Sequence, residues 1–308
     1  MAESSSRRQP ALPINGLLVL NKPAGLTSNR ALQVVKRLLG AKKAGHTGSL
    51  DPAATGMLPL CFGEATKVCA YLLDADKCYR VVARLGEATD TGDADGTVTR
   101  TAAVPELDPG EWQALLDRFL GDIEQVPPMY SALKKDGKRL YELARKGETV
   151  DREPRTVRIE ELVLLEARGR RLVFRVRCSK GTYVRTLVED VACAAGTLAF
   201  TASLHRESVG DFQAGDMLDM AQVEALADAG PEALRAALLP VDRALAGWPA
   251  ATVSAEEAER FVHGQTVAGE PACAGPARVY GPGRRFLGVG ERGPDGSLAP
   301  RRVFLLGD

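Results

Sequence analysis

Gly45-His-Thr-Gly-Ser-Leu-Asp-Pro-Ala-Ala-Thr-Gly-Met-Leu-Pro-Leu60 is the stretch on which the reading of this 308-residue chain turns. It sets three glycines, a histidine and an aspartate into a loop without helical or strand periodicity through residue 56, so its backbone must turn sharply. Asp51 stands directly before Pro52, which keeps it out of helical geometry and presents its carboxylate on a stiff, extended backbone. Most Asp-Pro pairs merely open a turn, and spacing by itself does not raise Asp51 to a catalyst.

Working outward, Gly16 to Gly25 reads as a strand closed by a turn. From Ser28 the apolar residues Ala31, Val34, Val35, Leu38 and Leu39 recur at helical spacing until Gly40 stops them. Downstream, Ala65 to Leu73 has helical character and Cys78 to Leu85 alternates as a strand, so the loop is held between regular elements. Asp108-Pro-Gly-Glu111 has the residues of a capped helix start, for a helix reaching about Leu120, and a second short helix ends at Gly147. Two β-rich runs, Arg155 to Ala167 and Arg171 to Ser179, flank Gly169 as a hairpin, and Thr182 to Ala195 is an amphipathic helix with Gly196 at its end. Two further helical stretches lie near 218 to 238. Strands and helices without a βαβ rhythm imply an α+β fold. The composition shifts at Gly247-Trp-Pro, and residues 250–308 become short β-like segments, which sets a domain boundary near 250. Residues 1–12 are expected to be a disordered basic-polar tail, leaving 13–249 as the main domain.

Lys plus Arg balances Asp plus Glu at 40 each, which at first argues against a polyanionic partner. Between Lys134 and Arg185, however, sixteen basic residues face eight acidic ones, so that stretch is net +8 and the rest net −8. Six scattered cysteines without a CxxC, and three histidines far apart, point to a reduced cytosolic protein without structural zinc. The apolar run Leu17 to Leu20 is too short for a signal sequence or membrane span.

The loop 45–60 resembles the catalytic-aspartate motif of the TruB family of pseudouridine synthases. The likeness extends in order through Asn21-Lys-Pro-Ala-Gly-Leu-Thr-Ser28, Gly63-Glu-Ala-Thr-Lys67, Lys77-Cys-Tyr-Arg80, Thr89-Asp-Thr-Gly-Asp-Ala-Asp-Gly96, Pro127-Pro-Met-Tyr-Ser-Ala-Leu-Lys134 and Cys178-Ser-Lys-Gly-Thr-Tyr-Val-Arg185. It covers residues 15 to 210 and the closing Ala-Pro-Arg-Arg302. The C-terminal segments Phe261-Val-His-Gly-Gln265, Arg278-Val-Tyr280, Phe286-Leu-Gly-Val-Gly290 and Arg301-Arg-Val-Phe304 resemble, more loosely, a small PUA-type β-barrel.

The resemblance implies a pseudouridine synthase fold with a mostly antiparallel mixed sheet and a PUA-like RNA-binding domain. It further implies isomerisation of uridine 55 in the tRNA T loop by base flipping, without metal or organic cofactor, since nothing is oxidised and no group is transferred. Asp51 falls on the family's nucleophile, and Arg185 is the expected partner that keeps it ionised against desolvation. On residues alone, Arg185 could equally pair with Glu189 one turn on. Tyr79 matches the pocket tyrosine and completes the catalytic set. His46, Tyr183, Leu204, Lys22 and Lys67 are expected around the substrate. Lys134, Lys138, Arg139, Arg145, Lys146 and Arg206 are expected to contact RNA phosphates, which gives affinity without reading sequence. One departure is His205-Arg206 where many relatives carry two arginines, one fixed charge fewer.

Breaking the N1 glycosidic bond, turning the uracil and rejoining it at C5 requires a positioned nucleophile or base in a closed site. Attack on C1′ or the base, or removal of a ribose proton, all suit a carboxylate. Three rival readings remain in view. One is the guide-RNA-dependent relative, against which the short chain without long basic tails counts. The second is a tRNA-folding chaperone, alone or as a second role, and the third a glycosidase that cuts the same bond without rejoining it. The expected protein is a cytoplasmic monomer that needs tRNA but no protein partner.

Overall fold

A computed structural model describes residues 14–135, 137–268 and 274–306 of the chain; the expected tail, residues 1–12, lies outside them. The chain begins with β1 (Gly16–Lys22) and α1 (Ser28–Leu39). Thr27 caps α1 by accepting from the Arg30 amide, and Gly40 ends it at φ 68°, a left-handed conformation that glycine adopts without penalty. Next come β2 (Ala44–His46), β3 (Thr55–Phe62), a 3-10 turn, α2 (Cys69–Asp74) and β4 (Lys77–Leu85). β2 lies inside a stretch whose sequence reads as irregular. Three residues along the edge of β3 carry no period of their own, and pairing alone makes them a strand.

A small hairpin of β5 (Glu87–Thr89) and β6 (Val98–Thr101) leads to α3 (Pro109–Asp117), where Asp108 and Glu111 form the capping box that their spacing predicts. β7 (Gly121–Gln125) follows, then a minimal hairpin of β8 (Lys134–Lys135) and β9 (Lys138–Arg139), and α4 (Leu140–Ala144). The predicted long hairpin is β10 (Arg155–Arg168) and β11 (Arg171–Cys178), and α5 (Val184–Ala194), β12 (Ala199–Val209), β13 (Met217–Asp219), α6 (Met220–Asp228) and α7 (Pro231–Ala236) complete this part.

One sheet joins these strands in the order β13-β1-β3-β12-β4-β11-β10-β7, with β2 added on β3. Only β13–β1 and β12–β3 pair in parallel, so the sheet is mixed and mostly antiparallel, as expected. α3 and α5 cover one part through Trp112, Leu116, Leu187 and Val191 against Val81, Leu85 and Phe174. α1, α6 and α7 cover another through Leu32, Val35, Val223 and Leu234 against Leu18, Leu20, Leu58 and Leu60. Each fully buried Leu or Phe here contributes about 1.5–3 kcal/mol.

β14 (Ala250–Thr252), α8 (Ala255–Val262), β15 (Val267–Ala268), β16 (Gly275–Tyr280), β17 (Phe286–Arg292) and β18 (Ser297–Val303) build a second, five-stranded sheet in the order β14-β16-β17-β18-β15. It is docked rather than tethered: Tyr280, Phe286, Val289 and Phe304 share a hydrophobic cluster with Leu17, Val19 and Val68 of the first part. Among the described residues no helix is long and apolar enough to cross a membrane.

Candidate active site

The register of the large sheet creates the site. β12 is inserted between β3 and β4, so that Arg206 lies beside Gly56 on one side and Tyr79 on the other. The loop between β2 and β3 crosses the end of these strands and is fixed at almost every residue. The Thr47 amide donates to the Pro59 carbonyl (3.2 Å), and the Gly25 amide donates to the Pro52 carbonyl (2.8 Å). The Ser28 hydroxyl accepts from the Leu50 amide (2.8 Å) and donates to the Leu50 carbonyl (3.1 Å). Leu50 and Ala54 point into the core, against the cluster that holds Tyr79. Asp51 therefore sits between two anchored neighbours and needs little ordering to be presented.

Two cations expected at the substrate lie under this loop instead. Lys22, fully buried, donates from Nζ to the carbonyls of Pro23 (2.8 Å), Leu26 (2.8 Å) and Pro52 (3.3 Å). Arg206, 1% exposed, donates from Nε to the Met57 carbonyl (2.6 Å) and from Nη2 to the Gly48 carbonyl (2.9 Å). Neither reaches solvent, so the expected substrate contact of Lys22 and phosphate contact of Arg206 are corrected: both cations brace loop carbonyls. At Gly56, φ is 100° and a Cβ would stand 2.3 Å from the Arg206 carbonyl oxygen, so only glycine lets β12 pass. Lys77 does similar work unforeseen, donating to the Leu73 carbonyl (2.7 Å) at the end of α2. Burial brings Lys22 and Lys77 down to about 8, and the Arg206 charge adds to the effect on both.

Arg185, the second residue of α5, reaches Asp51 as expected: its Nε stands 3.1 Å from Asp51 Oδ2. Its guanidinium is anchored as well on backbone, with Nη1 donating to the Thr91 carbonyl (2.7 Å) and Nη2 to the Tyr130 carbonyl (2.7 Å). Nη1 also lies 3.5 Å from Asp93 Oδ2. The alternative helical pairing of Arg185 with Glu189 does not form as an ion pair; Glu189 feels Arg185 only at longer range. The start of α5 is set by Gln125, whose side-chain amide accepts from the Tyr183 N–H (3.0 Å) and donates to the Tyr183 carbonyl (3.3 Å).

Asp51, Asp93, Arg185 and Leu204, with Ala53, Thr201 and Ser203, line a small cleft that opens to solvent. Arg185 is 7% exposed and the Asp51 side chain 45%, so a buried cation presents a carboxylate to an open mouth. Burial pushes the Asp51 carboxyl above its ordinary value, Arg185 pulls it back, and Asp93 and Asp95 push it up again. Tyr79 is buried behind the loop, its phenol raised by burial. Tyr183 is half-buried, its phenol raised by burial. His46 is half-buried on β2, lowered by burial and by Arg206, and its Nδ1 is enclosed without a hydrogen-bond partner.

Lys67 lies away from the cleft. Its Nζ contacts Glu64, donates to the Val303 carbonyl (2.9 Å) and stands 5.7 Å from the Phe304 ring centroid. The expectation of a substrate contact is thus corrected: Lys67 fastens the second sheet. Lys134, Lys138, Arg139, Arg145 and Lys146 are all exposed. Arg139 and Arg145 stand over the Tyr141 ring at 5.8 and 5.5 Å. This basic segment is rooted beside the site, because the Tyr141 amide returns to the Ser131 carbonyl next to Tyr130.

Asp93, Gln125, Thr91, Tyr130 and Lys77 went unassigned from sequence. Thr91, Asp93, Lys77 and Tyr130 lie in segments that carry the family likeness, whereas Gln125 lies in none.

Residues 36–184 match the TruB family pseudouridylate synthase N-terminal domain, 185–246 the tRNA pseudouridylate synthase B C-terminal domain, and 249–304 the pseudouridine synthase II TruB C-terminal domain. The protein named tRNA pseudouridine synthase B of Pseudomonas putida strain GB-1 is 51% identical over 293 residues, 94% of this chain and 96% of the relative. That of Nitrosococcus oceani is 50% identical over 300 residues, 97% of both. Among solved structures, a Cbf5-Nop10-Gar1 complex matches with a TM-score of 0.74 at 23% identity, over 98% of this chain and 92% of that one. An H/ACA RNP bound to a substrate RNA containing 2′-deoxyuridine matches at 0.73 and 22%, over 94% and 85%. These two likenesses concern the fold.

Proposed function

The chain belongs to the TruB family of pseudouridine synthases, and on that premise we propose that it isomerises uridine 55 in the T loop of tRNA with Asp51 as nucleophile. Isomerisation of uridine to pseudouridine in tRNA is the activity its half-identical relatives are named for. The observation that carries the residue assignment is the 3.1 Å contact between Arg185 Nε and Asp51 Oδ2 in the cleft. A carboxylate raised by burial stays available as an anion because a guanidinium anchored on the Thr91 and Tyr130 carbonyls stands behind it.

In this reading the target uridine leaves its stack and its base enters the cleft beside Leu204; Tyr79, His46 and Tyr183 are not among the residues that line it. Asp51 attacks C1′ or the base, or takes a ribose proton; each route ends with the C5 hydrogen expelled. Residues 13–249 act as the catalytic domain and 250–308 as an RNA-binding domain. The exposed cations of the 134–146 segment hold phosphates. The enzyme works as a cytoplasmic monomer without cofactor, and tRNA refolding is a second role.

Tritium release from tRNA labelled at C5 of uridine tests this, comparing wild type with Asp51→Asn. Release by wild type alone, with tRNA binding retained in the variant, is the expected result. Release by both removes Asp51 as nucleophile. Binding without release by either leaves a chaperone, and free uracil among the products makes the protein a glycosidase.

A further inference from the structure

We propose that Cys61 and Cys69 are a peroxide-oxidisable dithiol that closes to a reversible disulfide at the base of the catalytic loop. The sheet register brings the pair together. Cys61, on β3, lies directly opposite Gly45 of β2, so their side-chain positions share one face. Cys69, at the start of α2, packs its sulfur over that same glycine: a Cβ built on Gly45 would stand 3.4 Å from Cys69 Sγ. The absent side chain of Gly45 thus leaves open the space between the Cys61 position and the Cys69 sulfur. Both pack in the cluster formed by Leu17, Val19 and Val68.

The two thiols are unequal in the sense that the chemistry needs. Cys61 is buried, whereas Cys69 is partly exposed. The neighbouring Cys61 thiol holds the Cys69 thiol below its ordinary value, and the nearby Lys43 charge acts in the same direction. Cys69 thiolate attacks hydrogen peroxide, forming a sulfenic acid and releasing hydroxide. Cys61 then attacks the Cys69 sulfur, the S–O bond breaks, and the Cys61 proton leaves with the hydroxyl as water. Two electrons pass from the thiols to peroxide, and a thiol reductant returns them.

No other described pair has this geometry. Cys78 and Cys178 are on adjacent strands, but Cys178 faces Lys77 and Cys78 faces Arg177, which puts their side chains on opposite faces of the sheet. Burial also pushes the Cys178 thiol up to about 12. Cys193 is exposed and stands apart on α5.

The test is peroxide titration of the full-length protein, alkylation of remaining thiols in denaturant, non-reducing trypsin digestion and mass spectrometry. Lys67 lies between the two cysteines, so trypsin separates them and a disulfide appears as two joined peptides. The expected product joins the Cys61 and Cys69 peptides, disappears with dithiothreitol, and does not form in Cys61→Ala or in Cys69→Ser. The proposal is overturned if wild-type Cys69 advances to sulfinic acid while Cys61 stays alkylated. It is equally overturned if both remain alkylated at peroxide concentrations that oxidise Cys193.

Discussion

The aspartate loop and the basic hairpin segment use the same residue types to opposite ends. Around residues 45–57 the cations are buried and their donors are taken up by backbone carbonyls: Lys22 on Pro23, Leu26 and Pro52, Arg206 on Gly48 and Met57. In 134–146 the cations stand in solvent, and Arg139 and Arg145 stand over the Tyr141 ring. A cation whose protons are all used inside the protein shapes backbone, while one left in water keeps its charge free for a phosphate. Burial, and not residue type, decides which role a lysine or arginine has.

Arg185 is where the two regions meet, since it holds Asp51 with one edge and the Tyr130 carbonyl with another. Arg185→Lys keeps the charge but loses the fork, and kcat should fall by about 10²–10³-fold. The pH profile supplies an independent check. Arg185 opposes the upward push of burial on Asp51, so weakening it raises the Asp51 carboxyl further. Activity that needs the carboxylate is lost as pH falls through that value, so the acid limb of kcat/KM should move to higher pH. A limb that stays in place would detach Arg185 from Asp51.

Arg206→Gln should cost about 2–4 kcal/mol of stability, read by urea unfolding, because carbonyls of Gly48 and Met57 are left enclosed without donors. A loss of tRNA affinity with unchanged stability would return Arg206 to the phosphate-binding class. For the exposed segment, Lys138→Ala with Arg139→Ala should weaken tRNA binding roughly tenfold and flatten log K against log salt by roughly 1–2, sparing single-turnover chemistry. Smallest of all, Lys67→Ala should lower stability by about 0.5–1 kcal/mol with no change in salt dependence, because its partners are Glu64 and the Val303 carbonyl.

What the sequence discloses follows the range of the interaction. The caps of α1 and α3 were readable because Thr27, Gly40, Asp108 and Glu111 act within a few residues of themselves. The pairing of Arg185 with Asp51 was readable only through family likeness, since the two are separated by most of the sheet. The burial of Lys22 and Arg206 was not readable, because it depends on β12 entering between β3 and β4, a register that no local pattern records. Lys67 misled for the same reason: its partner carbonyl belongs to Val303. β2 is a strand only because an edge was there to receive it.

That insertion of β12 also sets a timetable. β3 and β4 are consecutive strands of the large sheet, yet they border each other only through Ala199–Val209, and β1 gains its outer neighbour only with Met217–Asp219. As the chain emerges from the ribosome, the first half therefore carries its aspartate loop and Lys22, while the outer edge of β1 and the facing edges of β3 and β4 have nothing to close them. Assembly waits until the chain has been made past residue 219, and contacts of such long sequence separation close slowly. A nascent polypeptide stalled before that point would expose those edges to pairing with other chains, and no shorter N-terminal fragment would hold the cleft.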